Sequence, residues 1–184
     1  VELSQGDAPD PVRYPHAIWK GASASDFSPQ RITPKFVVIH VAQGSADGTT
    51  AWFHNPVAQV SAHFMNPKAG PMFQYVDTDQ EAWAEMAFNG VGISVEHEGY
   101  SGEHLTAVQL DNLARLLEWT KKVYRIPTIW RPNASGAGGI VSHGSLGLAG
   151  GNHPDCPGLN IDDDVRNLTN KLNKVRGFAL RFIN

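Results

Sequence analysis

Apolar positions along this chain fall into short bursts, with only two stretches repeating at helical spacing. Phe36-Val37-Val38-Ile39-His40-Val41 is a brief β-branched run broken by one histidine, a pattern that predicts a buried central strand. Val60-Ser61-Ala62-His63-Phe64-Met65 alternates as a strand does. Pro71-Met72-Phe73-Gln74-Tyr75-Val76 would be its antiparallel partner across a turn at Asn66–Gly70. Val91-Gly92-Ile93-Ser94-Val95-Glu96 reads as a further strand, and Gly139-Ile140-Val141-Ser142-His143 as a short one that again ends in histidine. Helical spacing appears at Leu110, Leu113, Leu116 and Leu117, opened by Thr106 and Gln109 in a capping-box arrangement and closed near Tyr124 ahead of Pro127. A last helix is expected from about Asp162–Asp164 through Val165, Leu168 and Leu172, since carboxylates favour a helix N-terminus. A short helix over Thr49–His54 would stop before Pro56. Residues 1–35 carry Pro9, Pro11, Pro15, Pro29 and Pro34 without periodicity and read as an irregular arm.

Composition narrows the class. The 184 residues are 41% hydrophobic and 18% charged, enough for one sizeable core and too few for two, so a single domain is expected. The net charge of -3, without a lysine or arginine cluster, argues against a nucleic-acid partner. No apolar run approaches the roughly 20 residues of a membrane span. The first residues lack the basic start and apolar stretch of a signal peptide, so either a leader was removed or the domain was excised from something longer. The single cysteine, Cys156, excludes an internal disulfide framework. Eight histidines are many for this length, and histidine is the commonest metal ligand.

Three residues then stand out. His40 and His143 each follow an apolar run, at strand ends where α/β folds place their sites. Cys156 sits in Asp155-Cys156-Pro157-Gly158, a turn that would hold the sulfur rigidly. Two imidazoles and a thiolate with a fourth position open are what a catalytic zinc requires. Each residue alone has an ordinary reading: a hydrogen-bonded structural histidine, a small buried hydrophobe. Glu96 could face solvent or pair with an arginine, and Trp52 and Trp83 would normally be core aromatics. Other motifs fail. His97-Glu98 lacks the second histidine of a zincin helix, a deaminase needs another cysteine, and Gly136–Gly139 lacks the end of a phosphate loop.

Four segments, in order, make the chain similar to the type 2 N-acetylmuramoyl-L-alanine amidases, relatives of the peptidoglycan recognition proteins and of phage lysis amidases. They are Val37-Val38-Ile39-His40 with Gln43-Gly44-Ser45; Val60-Ser61-Ala62-His63-Phe64; Asn89-Gly90-Val91-Gly92-Ile93-Ser94-Val95-Glu96; and Val141-Ser142-His143 leading to Asp155-Cys156-Pro157-Gly158. The resemblance implies a central mixed β-sheet flanked by helices, with a zinc amidase domain over residues 36–176 and a C-terminal tail over 177–184. It implies one Zn2+ held by His40, His143 and Cys156, with Glu96 as the base that activates water. His63 and Asn89 would contact substrate. Many relatives carry a donor two residues before the last ligand; here that position is Pro154, so His153 is expected to supply the N–H for the oxyanion. The familiar Ala-Trp-His is Ala82-Trp83-Ala84 here. The implied activity is hydrolysis of the bond between N-acetylmuramic acid and L-alanine in peptidoglycan, by a monomer acting at the bacterial wall. The expected setting is a phage endolysin or secreted autolysin. The alternative is a non-catalytic peptidoglycan-binding module on the same fold.

Overall fold

The computed structural model describes residues 12–181, with side chains described through Lys174. Along the chain it places β1 (Ala17–Trp19), β2 (Phe27–Arg31), β3 (Phe36–Val41), α1 (Ala46–Phe53), β4 (Phe64–Asn66), β5 (Met72–Gln74), β6 (Gln80–Ala82), β7 (Gly92–His97), α2 (Ala107–Tyr124), β8 (Gly139–Ser142) and α3 (Leu159–Arg181). Six strands form one sheet in the order β1-β5-β4-β7-β3-β8, and β2 and β6 form a separate antiparallel ribbon. The sheet is mixed: β4 and β5 run antiparallel, whereas β7 and β8 flank β3 in parallel. This is the α/β architecture with a central mixed sheet that the sequence led us to expect.

All six residues of β3 are buried, because a strand hydrogen-bonded on both sides and covered on both faces has no solvent edge. Alternate residues serve different layers. Val37, Ile39 and Val41 pack with Ile93, Val95 and Ile140 against Leu113, Leu116 and Leu117 of α2 and Ile161 and Val165 of α3. Phe36, Val38 and Val141 turn the other way, toward Leu146 and Phe88. The capping box of α2 forms as its sequence predicts: Thr106 accepts from the Gln109 N–H, and the Gln109 side chain returns to the Thr106 backbone. The Gln109 amide also donates to the carbonyls of Asn66 and Glu98, stitching the helix start to the ends of β4 and β7.

Several boundaries differ from expectation. The arm over residues 1–35 is not wholly irregular: β1 adds in parallel to β5, and β2 pairs with β6, partners too far along the chain for local pattern to reveal. What the sequence leads one to expect of residues 1–11 and 182–184 falls outside the described residues. α1 starts at Ala46 because the Ser45 side chain caps it by accepting from the Gly48 N–H. Residues 60–63 stay out of the ladder, since Ser61 Oγ bonds the Asp26 carbonyl and the His63 N–H is taken by Ser94 Oγ. α3 begins earlier than Asp162 and runs through Arg181, so residues 177–181 of the expected tail are helical.

Candidate functional site

The parallel register sets the site. His40 on β3 is paired with Glu96 on β7, and Ile39 with Ser142 on β8, so His143 follows one residue on, beside His40. Glu96, His40 and His143 therefore occupy one row across three adjacent strands, all directed to the same face at their C-terminal ends. The two imidazole rings stack with centroids 4.3 Å apart. Cys156 arrives from a loop. Its carbonyl accepts from the Gly144 N–H at 2.6 Å, and its own N–H bonds the His153 carbonyl at 3.0 Å. Gly144 permits this approach, because a Cβ there would lie 2.8 Å from the Pro154 carbonyl oxygen. One ligand atom each from His40, His143 and Cys156 falls within 4.8 Å of the others.

The electrostatics suit a cation. Burial lowers the His40 pKa, and burial together with nearby His40 brings His143 to about 4, so both are neutral imidazoles with a lone pair to offer at neutral pH. The Nε2–H of His143 donates to the Gly150 carbonyl at 2.7 Å, which leaves Nδ1 as its free donor atom. Burial and the Glu96 carboxylate push the Cys156 thiol up to about 12, so a thiolate requires a positive charge beside it. Burial likewise raises Glu96, the His40 ring opposing it. Glu96 Oε1 lies 3.8 Å from His40 Nδ1, and its side chain is 17% exposed. Buried Oε2 atoms of Glu96 and Glu85 have no hydrogen-bond partner. Two neutral nitrogens, a sulfur and nearby carboxylate oxygens form a borderline-soft donor set that fits zinc.

The cluster opens into a cleft of about 620 Å³ whose walls include Gln43, Ser45, Trp52, Trp83, Glu96 and His153. Trp52 is 52% exposed rather than buried in the core, as its helix α1 lies at the rim. His153 stands beside the cluster, its ring centroid 4.8 Å from that of His143. His63 and Asn89 are not brought to the cleft. His63 is fully buried, bonded through Nε2 to the Gln80 carbonyl and through Nδ1 to Ser94, and burial lowers it to about 4. The Asn89 side-chain oxygen accepts from the Ala84 and Glu85 N–H groups. Sequence reasoning missed Glu85 altogether. It is fully buried, its Oε1 lies 3.3 Å from His40 Nε2, and burial raises its pKa well above the carboxylate range, an effect that the nearby Ser94 hydroxyl partly offsets. The available signal was a lone acid inside Ala82-Trp83-Ala84-Glu85-Met86-Ala87-Phe88.

Comparison with known proteins bears on this geometry. A family model described as N-acetylmuramoyl-L-alanine amidase matches residues 30–159. N-acetylmuramoyl-L-alanine amidase A of Achromobacter lyticus is 35% identical over 108 residues, which are 57% of this chain and 61% of that protein. The match thus spans less than two thirds of that relative's length. Among solved structures, the N-acetylmuramoyl-L-alanine amidase LysC from Clostridium intestinale URNW superposes with a TM-score of 0.64 at 16% identity, over 87% of this chain and 99% of that one. The Staphylococcus aureus hydrolase AmiA superposes with a TM-score of 0.63 at 15% identity, over 86% of this chain and 85% of that one. At such identities these two structures speak to the fold.

Proposed function

Because the chain belongs to the N-acetylmuramoyl-L-alanine amidase family, we propose that it hydrolyses the amide joining N-acetylmuramic acid to L-alanine in peptidoglycan. The metal would be one zinc ion held by His40, His143 and Cys156. The observation that carries this reading is the row Glu96, His40, His143, closed by Cys156 at the floor of one open cleft. A bound zinc ion supplies a Lewis acid for the scissile carbonyl and lowers the pKa of coordinated water to about 7. Glu96 does the proton work. It lines the cleft, and burial already favours its uptake of a proton. It takes the proton of the attacking water as the hydroxyl joins the lactyl carbonyl carbon, and returns it to the alanine nitrogen as the C–N bond breaks. The products are a lactyl carboxylic acid and a free stem-peptide amine, which at neutral pH become carboxylate and ammonium. His153, beside the cluster on the cleft wall, offers an N–H to the carbonyl oxygen where Pro154 cannot.

The setting that suits this activity is the wall-cutting unit of a phage endolysin or a secreted autolysin. No helix among the described residues is long and apolar enough to cross a membrane. Mass spectrometry of purified cell wall incubated with the protein tests the reading. Stem peptides with a free L-alanine amine should be released, the release should stop after dialysis against a strong chelator, and zinc should restore it. Wall that is bound but left uncut would instead make the chain a recognition module. Cleavage untouched by chelation would remove the metal from the scheme.

A further inference from the structure

Glu85 is fully buried behind His40 and does not line the cleft. Its backbone is fixed, the N–H donating to Asn89 Oδ1 at 2.6 Å. Its side chain enters a slot that exists because residue 92 is glycine: a Cβ there would lie 2.5 Å from Glu85 Oε2 and 3.2 Å from Val38 Cγ2. In that slot Oε1 reaches His40 Nε2 at 3.3 Å, while the other edge of the same ring, Nδ1, faces Glu96. His143 is held from behind in the same way, but by the neutral carbonyl of Gly150. Both imidazoles thus have Nε2 engaged by an oxygen and Nδ1 left toward the cluster. A carboxyl group buried with one oxygen unpaired costs a fold stability.

We propose that Glu85 is a positioning residue that holds His40 as the Nε2–H form, directs its Nδ1 lone pair toward the metal site and strengthens that nitrogen as a ligand. An imidazole that donates its second N–H to a carboxylate is fixed in orientation and is a more basic donor, and loss of such a partner typically weakens metal binding 10- to 100-fold. The proposal rests on the zinc reading above. It assigns the two histidines unequal roles: His40 is supported by a side-chain carboxyl group and His143 by a backbone carbonyl.

The experiment is zinc titration of the whole chain against a competing chelator, with the metal-free melting temperature measured in parallel, for the wild type, Glu85→Gln and Cys156→Ser. Glu85→Gln keeps the volume and an acceptor atom but replaces the carboxyl group by an amide. Its zinc affinity should fall about 10- to 100-fold while the metal-free melting temperature stays level or rises, a split that a purely structural glutamate does not produce. Nitrogen NMR of the zinc-loaded wild type should show His40 with its proton on Nε2. Unchanged affinity in Glu85→Gln, or a proton on His40 Nδ1, overturns the role given to Glu85 and leaves the zinc site standing. A wild type that takes up no zinc overturns both, and equal affinity in Cys156→Ser moves the fault to the ligand set.

Discussion

The two faces of the central sheet are built from the same strands and do opposite things. Toward the helices, β3, β7 and β8 present Val37, Ile39, Val41, Ile93, Val95 and Ile140, with Ser142 and His97 as polar exceptions, His97 tied by Nδ1 to the His40 carbonyl. Toward the cleft, the same strands grade along their length. Phe36, Val38 and Val141 fill the N-terminal half, and Glu96, His40 and His143 occupy the C-terminal end. The helix face is a close-packed core that sets stability. The cleft face gathers charges and lone pairs that the fold must support from behind. Chemistry here is a property of position along a strand as much as of residue type.

Substitutions should separate the two faces. The largest effect is expected at the cleft: Cys156→Ser should reduce wall hydrolysis to background and abolish stoichiometric zinc on metal analysis, because a neutral hydroxyl is a far poorer ligand than a thiolate. Glu96→Gln comes next. It should retain zinc and slow turnover by about 10²–10⁴-fold, the usual worth of a general base; full activity would assign the proton transfer to another group. On the helix face, Leu116→Ala should cost roughly 2–5 kcal/mol in denaturant unfolding, with turnover per folded molecule unchanged. An activity loss without a stability loss there would blur the division.

The most gradual effect concerns the buried histidines, one beneath each face. Burial lowers both His63 and His97 to about 4 in the folded protein, from the ordinary value of 6.5. Between those values the unfolded chain holds more protons than the folded one, so stability rises with pH across that window. Their contribution is complete above pH 6.5, is lost as pH falls toward 4 and does not decline further below it. At 1.36 kcal/mol per pH unit this amounts to about 3 kcal/mol per histidine at most. Asp162, raised by burial to about 6, slopes stability the other way across part of this window. The check is therefore NMR titration of the two imidazoles in the folded protein: both should stay neutral down to about pH 4, and protonation near 6.5 would overturn the prediction.

Much of this was legible in the sequence, unevenly. β3 and β7 announced themselves as apolar runs, and α2 by leucine spacing and its Thr106–Gln109 box, because those signals are local and repeat over many residues. The cluster was legible as three residue types at strand ends and in a rigid turn, though their convergence depends on register, which sequence spacing does not encode. β1 and β2 were missed since each is short and completed by a distant partner. Residues 60–63 look like a strand yet spend their hydrogen bonds on side chains. Glu85 was invisible for a related reason: its significance comes from the empty space at Gly92 and the back of His40, neither near it in the chain.

The row of donors also carries a consequence for divergence. The separation of Glu96, His40 and His143 is measured out by backbone pairing, which serves as a ruler of about 4.8 Å per division. Side chains on the opposite surface can be exchanged widely without altering that gauge, provided the strands keep their alignment. A slip of one residue in β3 would instead present Ile39 or Val41 to the cleft and send His40 into the oil. Evolution has wide freedom to rewrite the packing of such a protein and almost none to shift its strands.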